Sequence, residues 1–313
     1  MDQPKPAADP EGRAAVPRAA LIALFAGAMA IGGSGILVRL AETGPVATGF
    51  YRVALAAPIF VLWAQFGRRP SGRPAQGFAG LRANMGLILL SGVLFAIDLG
   101  TFHWSISYTT VANATLLSNL TPIWVTLGAW LILRERIGGL FLAGLVIAIA
   151  GCAILMGRSF ELSADRLFGD ALATFASIFY GGYLLVITRL RARLSTPALM
   201  AASGIVTAVL LLPAALMIGE RAIPLTLAGW MVLVGVALIS QASGQGLIAF
   251  ALAHLPASFS SVSLLVQPIA AALLAWLILG EALGPIEAAG GVVVLAGIWI
   301  AARASLVRRR VVE

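Results

Sequence analysis

Charged residues are scarce in this chain, and so are the residue types on which most active sites depend. Only 11% of the 313 residues are charged, whereas a soluble domain carries about 25%. There are two histidines and a single cysteine, Cys152, which lies inside an apolar run. One thiol excludes an internal disulfide, and so few ligand residues argue against a metal site. We expect no cofactor, and we interpret Cys152 as a small core residue.

Apolar residues make up 60% of the chain. A soluble core of this composition would leave large apolar patches in water, so the sequence predicts an all-α integral membrane protein. The net charge is +8, but the arginines fall between apolar runs, which argues against a nucleic-acid-binding protein. We place one acid, Asp98, within a span, and a lipid-acting enzyme would need more candidate groups than this, so we predict no catalytic residue.

Ten segments are long and apolar enough to cross the hydrocarbon core of a membrane. With charges, prolines and glycines as breaks, they lie at 18–40, 45–66, 83–104, 108–133, 138–157, 168–189, 196–217, 226–252, 256–279 and 284–304. This divides the chain into a disordered cytoplasmic tail at 1–17, a first five-helix repeat at 18–157, a second at 158–305 and a basic cytoplasmic tail at 306–313.

The two halves are joined by an internal repeat at an offset of 146 residues. Between 122–154 and 268–300, 16 of 33 positions are identical. The matches include Pro122 with Pro268, Trp130 with Trp276, Glu135 with Glu281, Gly138 with Gly284, Gly144 with Gly290 and Gly151 with Gly297. Such self-similarity indicates a duplicated unit. Because five helices is an odd number, the second unit must enter the membrane upside down, which predicts the inverted-topology repeats of secondary transporters.

The basic residues predict the orientation. Of the 21 Lys and Arg residues, 16 fall in the tails and in the loops on one side, and four fall on the other side. The positive-inside rule therefore places both termini in the cytoplasm and the chain in the cytoplasmic membrane. Arg52, the remaining arginine, lies inside a helix.

Each half has a proline in its fourth helix, a Trp-Leu-Ile-Leu-x-Glu ending and a glycine-rich fifth helix, and helix 2 carries a Pro45…Phe50-Tyr51-Arg52…Pro58 pattern. These motifs resemble the EamA-type transporters of the drug/metabolite transporter superfamily over about residues 18–305, and the organisation is similar to that of YddG-like exporters of aromatic amino acids. The resemblance implies a ten-helix basket whose central cavity is lined mainly by helices 1, 3, 4, 6, 8 and 9.

One departure from the superfamily concerns helix 1. Small multidrug members use a membrane glutamate in their first helix for proton coupling, but here helix 1 has no acid before Glu42 at its outer end. Proton-coupled antiport by that mechanism is therefore disfavoured.

Asp98 and Arg52 are ionisable residues that we place inside spans. Each lies about seven residues from the outer end of its helix, roughly 10 Å deep. We expect an ion pair, since either charge alone would be costly to bury. The pair could fasten helix 2 to helix 3, or Asp98 could meet a substrate amino group or carry a coupling proton. His103 and Trp104 lie near the outer mouth of helix 3, where they could act in gating or simply occupy the headgroup level.

Polar and aromatic side chains suggest a transport path. The candidates are Asn113, Ser118, Asn119, Thr121 and Trp124 in helix 4, Tyr180 and Tyr183 in helix 6, Gln241 and Gln245 in helix 8, and Ser260, Ser263 and Gln267 in helix 9. Pro122 and Pro268 interrupt the backbone bonding of helices 4 and 9 at equivalent positions, which predicts a hinge or a central site. The simpler interpretation is two kinked helices whose hydroxyls bind their neighbours.

The sequence therefore predicts a secondary transporter that moves small amphipathic metabolites by alternating access. The resemblance favours amino acids, including aromatic ones, with export by facilitated transport or exchange. The alternatives are a proton-coupled drug or multidrug exporter and, more remotely, a non-transporting membrane sensor or scaffold. The expected partners are a small-molecule substrate and the lipid bilayer. Duplication within one chain makes a monomer sufficient for function.

Overall fold

The computed structural model describes residues 18–66, 78–156, 164–279 and 284–312. Within these ranges there is no β-strand. The ten helices are α1 (Arg18–Gly32, then Ser34–Arg39), α2 (Pro45–Ala54 and Ala56–Phe66), α3 (Met85–Ser105), α4 (Val111–Ser118 and Thr121–Leu131), α5 (Gly139–Met156), α6 (Leu167–Arg191), α7 (Thr196–Met217), α8 (Leu227–Gly235, Val236–Gln245 and Gly246–Ala251), α9 (Ala257–Ser263, Val266–Leu274 and Ala275–Leu279) and α10 (Pro285–Val312). The tail predicted at 1–17 and the aligned Glu281 lie outside the described residues.

The predicted ten-helix membrane architecture is confirmed. Across the described part of the chain, nine helical segments are long and apolar enough to span a membrane, from Arg18–Val38 to Pro285–Ser305. Their bounds lie within a few residues of the predicted ones. The tenth, α4, is broken into pieces of 8 and 11 residues, each too short to span alone.

The breaks in α4 and α9 lie just before the two aligned prolines. Helical geometry is lost at 119–120 in α4 and at 264–265 in α9. A proline has no N–H and crowds the carbonyl four residues earlier, so the preceding turn loses its regular bonding. A side chain takes over part of that bonding in α4, where Thr121 Oγ1 donates to the Ser118 carbonyl at 2.7 Å. The breaks are therefore confirmed, while motion about them stays a prediction.

The helices pack in a pattern that reflects the duplication. The pairs α2–α7, α4–α9 and α5–α10 are in contact, and each joins a helix to its counterpart five positions later. Replacing each helix by its counterpart in the other half turns the contacts α3–α6 and α4–α6 into α8–α1 and α9–α1. All four contacts are present. This pseudo-symmetry is what two copies of one five-helix unit produce.

Four glycines bring α5 and α10 into close contact. A Cβ atom added at Gly144, Gly151, Gly290 or Gly297 would lie between 2.3 and 2.6 Å from a backbone nitrogen of the opposing helix. Small residues permit this approach in a membrane, where packing rather than water drives helix association. The glycines that align in the repeat thus form one helix–helix interface.

Carboxylates join the connections of the two halves on one face of the bundle. Glu42, between α1 and α2, accepts from two backbone N–H groups at the start of α8, at 2.7 and 3.0 Å, and from Thr226 Oγ1 at 2.5 Å. Glu220, between α7 and α8, accepts from the N–H groups of Val46 and Ala47 in α2, at 3.2 and 2.8 Å. The first N–H groups of a helix lack partners within it and carry positive potential, so each carboxylate stabilises a helix N-terminus.

Glu135 makes the corresponding contact at the start of α9. One carboxylate oxygen accepts from the Ala257 N–H at 2.8 Å, and the other accepts from the Ser258 N–H at 3.4 Å and from the Ser258 hydroxyl. The glutamate of the repeat motif therefore ties the end of α4 to the beginning of its counterpart helix in the other half.

The glycine contact predicts a position-specific loss of stability. Gly297→Ala places a Cβ 2.4 Å from the backbone nitrogen of Ala148 and should separate α5 from α10. We expect a cost of about 1–3 kcal/mol, as for other overpacking substitutions. Thermal unfolding in detergent, followed by fluorescence-detected size exclusion, measures it. Gly291→Ala is the control on the same helix, because its Cβ meets no atom within 4 Å. Equal melting temperatures for the two variants would contradict this packing.

The Glu42 cap predicts a pH dependence. Hydrogen bonds from the hydroxyl and backbone N–H of Thr226 and the backbone N–H of Leu225 lower the pKa of Glu42 below its ordinary value of 4.5. A carboxyl whose pKa is depressed by folding stabilises the protein above the unfolded pKa and loses that contribution as the pH falls through the folded pKa. The melting temperature of the wild type should thus exceed that of Glu42→Gln at pH 7. The difference should narrow below about pH 4.5, and a gap independent of pH would be inconsistent with the cap.

Candidate functional site

Arg52 and Asp98 lie buried where α2, α3 and α8 meet. Arg52 is 7% exposed and Asp98 is 9% exposed. Arg52 Nε donates to Gln241 Oε1 at 3.2 Å, and its Cζ lies 5.8 Å from the ring centroid of Phe95. Arg52 and Asp98 interact electrostatically. The predicted neighbourhood is therefore present, but the hydrogen bond of the guanidinium goes to Gln241, and a direct ion pair stays a prediction.

The two glutamines of α8 lie on a π-helical segment, Val236–Gln245. Gln241 is 1% exposed and Gln245 is 2% exposed. Gln245 Nε2 donates to Tyr180 Oη at 3.2 Å. A π-helix is wider than an α-helix and is frequent at functional sites. This segment directs one amide to Arg52 and the other to Tyr180, so both glutamines have partners inside the bundle.

An aromatic group lies beside these amides. The ring centroids of Phe95 and Tyr183 are 4.5 Å apart, and Tyr180 lies 6.0 Å from Tyr183 and 6.5 Å from Phe95. Tyr183 is 1% exposed, and its hydroxyl contacts Met200 Sδ at 3.8 Å. Tyr183 therefore packs in the core, whereas the half-buried Tyr180 is the tyrosine that reaches the polar site.

A second polar cluster joins α4 to α6 around Asp170. This carboxylate is 9% exposed and accepts from Thr109 Oγ1 at 2.6 Å and from Asn113 Nδ2 at 3.1 Å. Asp170 lies within the candidate span Ala164–Arg191. The expectation that Asp98 is the lone acid within a span is therefore wrong. The signal for Asp170 was present in the sequence, because the predicted span at 168–189 already contained it.

The other predicted residues of α4 bind their own helix or α6. Ser118 Oγ and Asn119 Nδ2 both donate to the Thr115 carbonyl, at 2.9 and 2.8 Å. Trp124 Nε1 donates to Ser177 Oγ at 2.9 Å. These contacts support the broken helix, and Ser118, Asn119 and Trp124 are only partly buried.

Several buried polar atoms on α8 and α9 have no hydrogen-bond partner among the described residues. They include Ser240 Oγ, Ser260 Oγ and Gln267 Nε2. Ser263 differs, because its hydroxyl donates to the Phe259 carbonyl at 3.0 Å. Unpaired buried polar groups are rare in native proteins and often have a functional reason. These three residues belong to α8 and α9, and a transport path along those helices stays a prediction.

His103 and Trp104 have different environments. His103 is 3% exposed, and its Nδ1 lies 2.7 Å from the Pro45 carbonyl, which can only accept a hydrogen bond. The imidazole therefore donates through Nδ1 and joins the end of α3 to the start of α2. Its two predicted roles, in gating and at headgroup level, stay predictions. Trp104 is 39% exposed and packs edge-on against Tyr108 and Phe168, which agrees with an interfacial position.

A separate apolar cavity of approximately 290 Å³ lies between α1, α9 and α10. Its walls include Phe25, Phe259 and Trp299. It is lined by none of the predicted transport-path residues. The polar site and this lateral cavity are therefore distinct features of the bundle.

Relatives of this chain are transporters. It is 26% identical over 271 residues to an uncharacterized transporter of Archaeoglobus fulgidus, covering 85% of this chain and 90% of the relative. It is 26% identical to the pseudopaline exporter CntI of Pseudomonas aeruginosa, covering 70% and 75%. It is 28% identical to a probable terminal-alkyne amino-acid exporter of Streptantibioticus cattleyicolor, covering 66% and 69%.

A solved structure and a family profile also match this chain. A solved crystal structure superimposes with a TM-score of 0.79 at 15% identity, covering 92% of this chain and 98% of that one. The sequence profile of the EamA-like transporter family matches residues 18–157 and 167–303, one match in each half. The chain therefore belongs to the EamA-like transporter family.

Proposed function

We propose that this protein is a secondary transporter that moves amino acids and related small amphipathic metabolites across the cytoplasmic membrane. The observation that carries the proposal is the central site, where Arg52 and Asp98 are both buried in the bundle beside Tyr180 and two amides. Ionisable groups at membrane depth are costly and typically mark a substrate or ion pathway. The relative in Streptantibioticus cattleyicolor, a probable terminal-alkyne amino-acid exporter, favours the same cargo class.

Alternating access between two inverted halves is the mechanism that we propose. The exchange of helix neighbours between the halves supports it, as do the paired breaks in α4 and α9. In this mechanism, one half rocks against the other, and the site opens to each side in turn. The carboxylate caps join the halves on both faces, so opening on a given side requires the cap there to release.

The orientation and direction of transport are part of the proposal. The excess of Lys and Arg on one side supports cytoplasmic termini. Export by facilitated transport or exchange fits a site that carries one carboxylate and one guanidinium and therefore no net charge. One specific observation favours a second candidate, proton-coupled export of drugs or metabolites. The described spans contain two buried acids, Asp98 and Asp170, that could carry a proton.

Counterflow in proteoliposomes tests the proposal. Vesicles loaded with one unlabelled amino acid per batch should accumulate the labelled form from outside without an energy source, because exchange down the internal gradient drives uptake. Arg52→Ala should reduce accumulation by about tenfold or more, since a charged partner of the substrate is lost. Gly291→Ala is the matched control and should retain uptake, since its Cβ meets no atom within 4 Å.

The outcomes of this experiment separate the candidates. Accumulation that requires an imposed proton gradient would favour the proton-coupled candidate over facilitated exchange. No accumulation of any amino acid by folded protein would contradict the proposed cargo.

A further inference from the structure

Arg52 and Asp98 each retain unpaired hydrogen-bonding atoms. Nε of Arg52 is used by Gln241, but among the described residues no hydrogen bond is formed by its terminal Nη atoms or by the Asp98 carboxylate oxygens. The fully enclosed unpaired side-chain atoms are found elsewhere, at Thr126, Ser240, Ser260 and Gln267. Arg52 and Asp98 are thus more than nine-tenths buried, and their terminal polar atoms have no hydrogen-bond partner among the described residues.

We propose that these two side chains bind the zwitterionic head group of an α-amino acid, with Arg52 taking the carboxylate and Asp98 the ammonium. The inference rests on the proposed transport function and names the chemistry of its site. A buried charge that is removed from water needs an opposite charge and hydrogen bonds. A zwitterion supplies both at once, whereas an anion would leave Asp98 uncompensated and a cation would leave Arg52 uncompensated.

The surroundings of Arg52 prepare it for a carboxylate. A guanidinium has five N–H donors in a planar fork, and a pair of parallel donors matches the two oxygens of a carboxylate. Because Arg52 Nε donates to Gln241 Oε1 at 3.2 Å, the two terminal nitrogens of the guanidinium are left for a ligand. Phe95 lies 5.8 Å from the Arg52 Cζ and limits the positions that the guanidinium can take. Gln241 is thus a positioning residue.

The ring of Tyr180 indicates which amino acids fit. Its hydroxyl is bonded to Gln245 at 3.2 Å, and its ring lies against the core aromatics Phe95 and Tyr183. An exposed face of a tyrosine that is held in this way provides an apolar contact for a substrate side chain. Among the described residues, Arg52 and Asp98 are the charged neighbours of Tyr180, so a charged substrate side chain would meet no further compensating charge. The site therefore favours zwitterions with apolar or aromatic side chains.

Head-group analogues test the inference. Exchange of radiolabelled phenylalanine by wild-type proteoliposomes is to be measured with one of three unlabelled competitors. These are phenylalanine itself, 2-phenylethylamine, which lacks the carboxylate, and 3-phenylpropionate, which lacks the ammonium. Each of the two analogues should compete at least about tenfold more weakly than phenylalanine, because it leaves one buried charge unpaired. Equal competition by all three compounds would overturn the head-group assignment while leaving amino-acid transport intact.

Two variants assign the charges individually. Asp98→Asn should abolish the preference for phenylalanine over 3-phenylpropionate, and Arg52→Gln should abolish the preference over 2-phenylethylamine. If the two residues had only a general structural role, each variant would weaken competition by all three compounds by one common factor, and that result would also overturn the assignment. If either variant fails to fold, the wild-type analogue series decides alone. Absence of phenylalanine exchange by folded wild-type protein, with other amino acids also inert, would overturn both this inference and the proposed function.

Discussion

The cost of burying Arg52 and Asp98 within a membrane bundle is the constraint on which the central architecture depends. In a low-dielectric interior, an unpaired ion loses several kcal/mol of hydration that only charge and hydrogen bonds can restore. The bundle meets part of this need through Gln241 and the face of Phe95, and the remaining donors and acceptors have no hydrogen-bond partner among the described residues. A site that is only partly satisfied favours a ligand that completes it, and this links the energetics of folding to substrate recognition.

The π-helical part of α8 is the local structure that makes this arrangement possible. Gln241 and Gln245 lie four residues apart and contact residues of two different helices, Arg52 of α2 and Tyr180 of α6. The segment also packs against α1, where a Cβ on Gly27 would lie 2.7 Å from the Gly244 carbonyl. Close backbone packing on one side and polar contacts on the other side thus hold the same ten residues.

Contacts away from the polar site keep the two halves of the bundle together. The four glycines of the α5–α10 interface give close backbone packing between the halves, on helices other than α2, α3 and α8 of the polar site. The caps formed by Glu42, Glu220 and Glu135 are polar contacts that can break and re-form, since water can replace the carboxylate at a helix N-terminus. Close packing at α5–α10, combined with caps that water can replace, is suited to two halves that stay joined while they move relative to each other.

The spans were predictable because about 20 consecutive apolar residues carry their signal locally. The repeat was equally visible, and the aligned glycines and prolines coincide with the α5–α10 interface and with the two helix breaks. The caps were not predictable, because Glu42 meets α8 across 183 positions and Glu220 meets α2 across 174.

The limits of the sequence are also clear at the site. The buried position of His103 depends on the path of α2, and the partner of Arg52 is Gln241, 189 positions away. Hydropathy indicates the depth of a residue in the membrane. Which of several polar residues at that depth becomes its partner is determined by tertiary packing.

A structure of the protein with bound phenylalanine, determined in lipid nanodiscs, tests the central claim most directly. The account predicts density for the amino acid between α2, α3 and α8, with its carboxylate on the Arg52 guanidinium, its ammonium on Asp98 and its ring beside Tyr180. Phenylalanine bound with its head group away from both charges, or in the lateral cavity beside Trp299, would contradict it.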